Sequence, residues 1–478
     1  MMEALLDYLQ QPWLYATLTA TYVLSIATVI LVILGENRNP VKSLAWVTVL
    51  ILLPAVGLIL YIFFGRNIKN KRMVSRRNKR RLLRLAKAPR HHRNPSSLPP
   101  EYQAITRLTQ TMTGSTYIAD NDVEIFSTGS TKFEKLSEDL RAARKFINLQ
   151  YYIFEDDELG REIASILMER AREGVKVRVI YDHVGSFHVS SDFFKKLRRA
   201  GVEAFPFFKV AFIPFASRVN WRNHRKIVII DGEVGYIGGM NIANRYLDGG
   251  KFPEWRDCHL RVEGPAVSAL QYSFALDWSF MSNKVLDDEC STEPRGSVGI
   301  QTITGGPMNQ WNNVAHVFLR AIVGAKKRIF LQTPYFLPPE TLLKALQNAA
   351  LAGIDVRVMI PRHSDSWMLS YSSRSYITEC LRAGIKIYFF EAGMLHSKVL
   401  IIDDELSSVG STNFDFRSFE HNFEANLILY SPETNARLQK IFHEDMKKSE
   451  RIRAEEWKKR PRIHRGLESI VRLLAPIL

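Results

Sequence analysis

One stretch of this chain occurs twice. Asn223 to Asn241 reads NHRKIVIIDGEVGYIGGMN, and Leu395 to Asn413 reads LHSKVLIIDDELSSVGSTN. His224/His396, Lys226/Lys398, Asp231/Asp403, Gly238/Gly410 and Asn241/Asn413 all share one spacing, 396 − 224 = 172 residues. The flanks repeat too: INLQYYIF (Ile147 to Phe154) with IFLQTPYF (Ile329 to Phe336), GVKVRVIYD with GIDVRVMIP, and RAGVEAFPFF with RAGIKIYFF. A repeat of about 180 residues is too long for a solenoid unit and indicates duplication of a whole domain.

Each copy reads as strand, helix (Glu162 to Glu173; Glu340 to Leu351), strand, second helix, strand, then the motif. Alternating strands and helices predict an α/β fold in which helices pack on a sheet, and two copies predict pseudo-two-fold symmetry. Within each motif, period two puts His224 with Lys226, and His396 with Lys398, on one side of a strand. The IVII run between Lys226 and Asp231 suits a strand buried on both faces.

The front of the chain is different. Trp13 to Leu34 and Ser43 to Phe64 are 22-residue runs without a charge. At the helical rise each would span roughly 33 Å, matching a hydrocarbon core of about 30 Å. Trp13, Tyr15, Trp46 and Tyr61 lie near the run ends, where amphipathic rings favour the interface. The expectation is a two-helix transmembrane hairpin, with Pro54 tolerated as a kink and both chain ends on one side. Between Arg66 and Arg93 stand 13 Lys/Arg and no acid, which marks that side as cytoplasmic. The same run should attract anionic lipids. The formal net charge is +16, so removing these 13 leaves +3, and the rest offers no groove-wide cationic surface for nucleic acid. Cys258, Cys290 and Cys380 are far apart and unpaired in pattern, arguing against a disulfide framework or zinc site.

The expected domains are the anchor (1–65), a basic linker (66–100), two α/β domains (101–290 and 291–450) and a basic, apolar tail (451–478). The tail suits either an interfacial helix or one docked on the core. The aromatic stretch Phe205 to Trp221 suits either acyl-chain contact or core packing.

The motif residues define a chemistry. Opening a phosphodiester needs a nucleophile, a proton donor for the leaving alkoxide, and cations around the phosphate. A neutral imidazole can attack and a protonated one can donate, so His224 and His396, facing each other across the pseudo-dyad, supply one of each. Lys226 and Lys398 supply charge to the phosphate oxygens, and Asn241 and Asn413 supply amide donors. Asp257 and Glu424, each on the strand after a motif, are candidates for orienting the imidazoles. Asp231 and Asp403 complete the motif, with strand-end hydrogen bonding favoured over direct chemistry. His91, His92, His183, His363, His421 and His464 form no credible site, and no cluster has metal-ligand spacing. Neither metal nor cofactor is expected.

These residues resemble the phospholipase D superfamily over Tyr102 to about Ser449. With ENRNPVKSLAWVTVLILLPAVGLILYIFFG, WRNHRKIVIIDG, YIGGMNIANRY, LHSKVLIIDDELSSVGSTNFDFRSFEHNFE and RLLAPIL, the chain is similar to bacterial cardiolipin synthases. The resemblance implies two duplicated phospholipase D-like α/β sandwich domains behind a multi-pass anchor in the cytoplasmic membrane. It implies transfer of a phosphatidyl group between two phosphatidylglycerols, with a covalent intermediate on His224 and proton transfer by His396, or the reverse. Hydrolysis, another acceptor such as phosphatidylethanolamine, and a membrane-tethered nuclease use the same site chemistry and remain rival readings. Oligomeric state is left open.

Overall fold

The computed structural model describes residues 12–34, 40–61, 98–208 and 221–473. They fall into two units, the N-terminal helices and the α/β part.

The first apolar run forms one helix, α1 (Pro12–Leu34), and its Tyr15–Ile33 stretch is long and apolar enough to cross a membrane. Among the described residues no other helix meets that test. The second run does not form the expected span. It divides into α2 (Pro40–Leu52) and α3 (Pro54–Leu60) at Leu53, whose φ of −133° and ψ of 68° leave the helical region. Proline lacks an N–H and disfavours helical geometry in the residue before it. The chain then doubles back. A Cβ at Gly57 would stand only 2.9 Å from the Val49 carbonyl oxygen and 3.1 Å from Leu50 Cα. Trp46 and Tyr61 meet edge to face with centroids 5.4 Å apart, whereas fifteen residues of continuous helix would separate them by about 22 Å. Both limbs share an apolar cluster with α1 through Val32, Leu50, Leu58 and Tyr61, and Ser25 Oγ donates to the Leu50 carbonyl at 2.7 Å. Counting apolar residues could not reveal this reversal. The Pro54-x-x-Gly57 spacing is the signal that permits it.

The α/β part is organised by a 16-stranded sheet. In chain order its strands are β1 (Ile118–Phe126), β2 (Phe146–Tyr151), β3 (Lys176–Asp182), β4 (Glu203–Phe207), β5 (Arg222–Asn223), β6 (Ile227–Ile230), β7 (Val234–Gly238), β8 (His259–Glu263), β9 (Val298–Gly305), β10 (Arg328–Gln332), β11 (Asp355–Pro361), β12 (Lys386–Phe390), β13 (Val399–Ile402), β14 (Leu406–Gly410), β15 (Asn422–Tyr430) and β16 (Ser449–Ile452). The path runs β4-β3-β2-β6-β7-β8-β1-β9-β15-β14-β13-β10-β11-β12-β16, with β5 paired off the path to β15. Around the antiparallel β1/β9 seam the order reads the same outward in both directions for seven strands, after which one edge carries the additional strand β16. In each half the strand before the first helix is parallel to the next strand and antiparallel to the motif strand. This is the pseudo-two-fold that the repeat predicts. Each half has its own core, with Ile147, Leu149, Val179 and Val228 in one and Ile329, Leu331, Val358 and Leu400 in the other.

The halves are also stitched together beside the motifs. Strand β5, just before His224, pairs in parallel with Asn422–Phe423, and Met394–Leu395, just before His396, pairs in parallel with Trp255–Arg256. The His224 N–H donates to the Phe423 carbonyl at 2.9 Å, and the His396 N–H to the Arg256 carbonyl at 2.6 Å. The next residues along those partner segments are Glu424 and Asp257.

Candidate active site

That stitching decides the first contacts of the two histidines. His224 Nδ1 lies 3.0 Å from Glu424 Oε1 and 3.1 Å from Oε2, while His396 Nδ1 lies 2.6 Å from Asp257 Oδ2. Each imidazole is therefore held by the other half's carboxylate. Both carboxylates were legible in sequence, but their exchange between halves was not. A carboxylate on Nδ1 selects the tautomer with the proton there and leaves the Nε2 lone pair for chemistry. Glu424 is itself fixed by the Ser411 hydroxyl and by Asn422 Nδ2 at 3.2 Å, and Asp257 by the Cys258 N–H at 2.7 Å.

His224, His396, Asn241 and Asn413 line one cleft of about 540 Å³. Lys226 and Lys398 are buried beneath it. Lys226 Nζ donates to the His224 carbonyl at 2.7 Å, and Lys398 Nζ donates to the His396 carbonyl while lying 2.9 Å from its Nδ1. Asn241 Nδ2 donates to the Tyr246 hydroxyl at 2.8 Å, and its Oδ1 accepts from the Ile153 N–H at 3.2 Å. Among the described residues Asn413 Oδ1 is buried without a hydrogen bond.

Asp231 and Asp403, grouped with the catalytic residues by their motif, do not line the cleft. They stand at the far ends of β6 and β13. Asp231 accepts from the N–H groups of Arg144, Lys145 and Phe146 at 2.8, 2.7 and 2.9 Å. Asp403 does the same for Lys326, Lys327 and Arg328. Their φ values of 55° and 51° turn the chain sharply after the motif strand, a conformation that Asp tolerates better than most residues. The third motif residue thus ties the end of the motif strand to the backbone of its neighbour, whereas the histidines of the same motifs line the cleft.

Burial dominates the electrostatics. It pushes both imidazoles down to about 4. At His224 the Glu424 carboxylate opposes this, and at His396 Lys398 adds to it while Asp257 opposes. Burial also lowers Lys398 to about 8 and holds Lys226 well below the ordinary lysine value. Although burial raises Asp257 and Glu424, charge and hydrogen bonds from their neighbours prevail: Lys398 and His396 hold Asp257 below the usual carboxylate range, and His224, Lys226 and Ser411 do so for Glu424. With no anion bound, the cleft at neutral pH contains neutral imidazoles facing ionised carboxylates.

Several cleft residues were missed in sequence. Tyr152 meets the His224 ring edge to face at 4.9 Å, and Trp255 lies 5.6 Å from the His396 ring. Tyr246, Tyr335, Arg222, Arg245 and Arg417 complete much of the wall. Arg245 and Arg417 had a signal: each stands four residues after its motif asparagine, and 417 − 245 = 172. His183, His363, His421 and His464 do not line the cleft, and His464 stacks on Tyr371. The segment 209–220, containing most of the aromatic stretch singled out for acyl chains, lies outside the described residues. Its described end packs inward, with Phe207 buried against Phe208, Phe280 and Phe423.

A duplicated α/β scaffold with paired His-x-Lys-x4-Asp motifs over one cleft defines a phosphatidyltransferase of the phospholipase D type. The comparisons narrow the class. The family described as "Cardiolipin synthase, PLD-like domain" matches residues 136–269 and 318–446, and "Phospholipase_D-nuclease N-terminal" matches 23–66. The chain is 38% identical to the major cardiolipin synthase ClsA of Bacillus subtilis, across 96% of this chain and 98% of that one. It is 40% identical to cardiolipin synthase 2 of Bacillus anthracis, across 94% and 89%. The crystal structure of phosphatidylserine synthase from Haemophilus influenzae shares the fold, with a TM-score of 0.61 at 14% identity over 78% of this chain and 100% of that one. The chain belongs to the cardiolipin synthase family, and its substrates are phospholipids.

Proposed function

We propose that this chain passes a phosphatidyl group from one phosphatidylglycerol to the glycerol hydroxyl of another, through a phosphatidyl-histidine. In the first step Nε2 of His224 attacks phosphorus, the bond to the headgroup oxygen breaks, and His396 gives that oxygen its proton, releasing glycerol. In the second, His396 takes the proton of the incoming lipid's hydroxyl, whose oxygen attacks phosphorus and displaces His224. Cardiolipin leaves and both imidazoles return to their starting state. The near-equivalent surroundings of the two rings also allow the reverse assignment.

The observation that carries this reading is the pair of imidazoles in one cleft, each with Nδ1 on a buried carboxylate. Neutral at rest, they suit attack. Binding an anionic phosphodiester raises the proton affinity of the donor ring where acid is needed. Lys226, Lys398, Asn241 and Asn413 serve the phosphate oxygens, and Asp257 and Glu424 orient the rings. Incubating the purified full chain with phosphatidylglycerol tests this. Cardiolipin plus glycerol is expected, and phosphatidic acid as the dominant product would mean a hydrolase. Degradation of DNA by the same preparation would favour the nuclease reading.

The reading of the anchor changes with the α2/α3 reversal. At about 1.5 Å per residue α2 extends only about 20 Å, too short for a bilayer. The second apolar run therefore enters and leaves on one side, and α1 alone crosses. Charge agrees with this: Arg38, Lys42 and the run with 13 Lys/Arg between Arg66 and Arg93 then share the cytoplasmic side, whereas the chain before Trp13 holds Glu3 and Asp7 but no Lys or Arg. The catalytic part remains cytoplasmic. An impermeant maleimide applied to intact spheroplasts should label Leu5→Cys and spare Asn37→Cys. A transmembrane hairpin requires the opposite.

A further inference from the structure

The basic, apolar tail forms a helix that is docked on the catalytic part by its polar side. Two helices make the contact, α4 (Trp367–Ser375) and α5 (Arg462–Arg472). The His464 ring stacks on Tyr371 of α4 with centroids 6.0 Å apart, and its Nδ1 lies 3.2 Å from the Tyr371 hydroxyl. Arg472 pairs with Glu379 at 2.7 Å and lies 4.2 Å from the Tyr376 ring centroid. Glu468 is buried and accepts from Arg460 at 3.2 and 2.6 Å. These contacts fix the rotation of α5 about its own axis.

With Glu468 and Val471 buried, Ile463, Leu467 and Ile470 are left 72, 40 and 62% exposed. Their i, i+4, i+7 spacing makes one stripe, and Leu473, 80% exposed, follows it. A helix recruited only for packing would bury that stripe and expose the glutamate; α5 does the reverse. The surroundings are cationic. Lys458, Lys459, Arg462 and Arg465 are exposed, and the only acid between Trp457 and Leu473 is Glu468, buried and paired with Arg460. The stripe is also linked to the cleft through α4. Asp365 and Leu369 line the cleft, and Trp367 between them is 64% exposed, its ring 6.4 Å from that of Tyr371, which holds His464.

We propose that α5 and Trp367 seat the catalytic part on an anionic bilayer. Ile463, Leu467 and Ile470 enter the boundary of the acyl chains, the four cations meet phosphate headgroups, and the indole takes its usual place at the interface. A second copy of this chain is a poorer occupant, because it brings the same cations to this face and no exposed acid of α5 to answer them. Helix α1 tethers the chain to the membrane; α5 adds a contact made by the catalytic part itself, next to the cleft that takes phospholipid. This contact does not depend on which alcohol accepts the phosphatidyl group.

The test uses the full chain with Cys290→Ser, which leaves only the buried Cys258 and Cys380. One environment-sensitive fluorophore is attached at Ile470→Cys or at Ser469→Cys, and the protein is reconstituted in phosphatidylglycerol bilayers. Both positions are exposed, and one helical residue turns them about 100° apart. Phospholipid bearing a nitroxide on its acyl chain should quench the probe at 470 about twofold or more beyond the probe at 469. A chain with Ile463→Glu, Leu467→Glu and Ile470→Glu together should lose about fivefold or more in the ratio of turnover in phosphatidylglycerol bilayers to turnover in detergent micelles. Both rates come from one preparation, so the ratio does not depend on how much protein folds. Equal quenching at the two positions, or an unchanged ratio, overturns the seating. A probe shift in detergent that grows with protein concentration, without quenching in bilayers, assigns the stripe to a second copy and also overturns it. Quenching is read without turnover, so a wild-type chain that makes no cardiolipin overturns the transferase reading, and the quenching alone then decides the seating.

Discussion

The His224 and His396 sites follow the same plan with different parts. In each, a two-residue strand pairing with the opposite half delivers a carboxylate to Nδ1, and a lysine two residues on reaches back to the histidine carbonyl. At His224 the carboxylate is Glu424, shared with Ser411 and Asn422. At His396 it is Asp257, closer at 2.6 Å, with Lys398 also beside the ring. Neither half completes its own histidine, so the duplicated halves are mutually dependent at the cleft where the proposed chemistry takes place. The comparison also shows where the symmetry stops: Tyr152 meets the His224 ring edge to face, whereas Trp255 and the charge of Asp365 bear on His396.

The predictions bear on this comparison in order of size. His224→Ala and His396→Ala should each reduce turnover by about 10⁴-fold, because members of one catalytic unit are individually indispensable. Rates of cardiolipin formation would show this, and a near-normal His396→Ala protein would break the pairing. Glu424→Gln and Asp257→Asn should each lower kcat by about 10²-fold or more with a smaller effect on KM, since they disturb tautomer and orientation. If Glu424→Gln were silent while Asp257→Asn was not, the two sites would be functionally unlike despite their shared plan.

Asp231→Asn and Asp403→Asn should act on stability. Asparagine tolerates the positive φ, so the substitution isolates loss of the carboxylate's bonds to three backbone N–H groups, at about 1–3 kcal/mol. The melting temperature should fall while activity per folded molecule is kept, and loss of activity at unchanged stability would restore these residues to the chemistry.

The smallest effect is on pH. Each histidine moves from 6.5 when unfolded to about 4 when folded. Between those values the unfolded chain binds more protons at these two sites, so their contribution to stability falls as pH drops from about 6.5 towards 4 and is constant above that window. The lowered carboxylates contribute only further down. Melting between pH 7 and 5.5 should therefore be less pH-dependent in His224→Gln than in the wild type.

Much of this was legible in sequence because duplication writes each site residue twice. The motif residues and the succession of strands and helices along each half follow from matching positions and period-two patterning, and Asp257 and Glu424 from their place on the strand after each motif. Pairing between halves is a different kind of information. Nothing local to HNFEANLIL says that Glu424 serves His224, because the β15/β5 contact joins segments 200 residues apart. Arg245 and Arg417 could have been found by extending the repeat four residues, whereas Arg222 has no such partner among the matched positions. In the anchor, hydropathy sees 22 uncharged residues, and only Pro54 and Gly57 hint that the backbone reverses.

The central claim is a single site shared by both halves. Its most direct measurement is an alkaline quench of the full chain during turnover on phosphatidylglycerol, followed by mass spectrometry of the peptides carrying His224 and His396. The account predicts at most one phosphatidyl adduct per chain, confined to one of the two histidines and absent when that residue is replaced by alanine. Two adducts on one chain, one on each ring, would show two independent sites and contradict it.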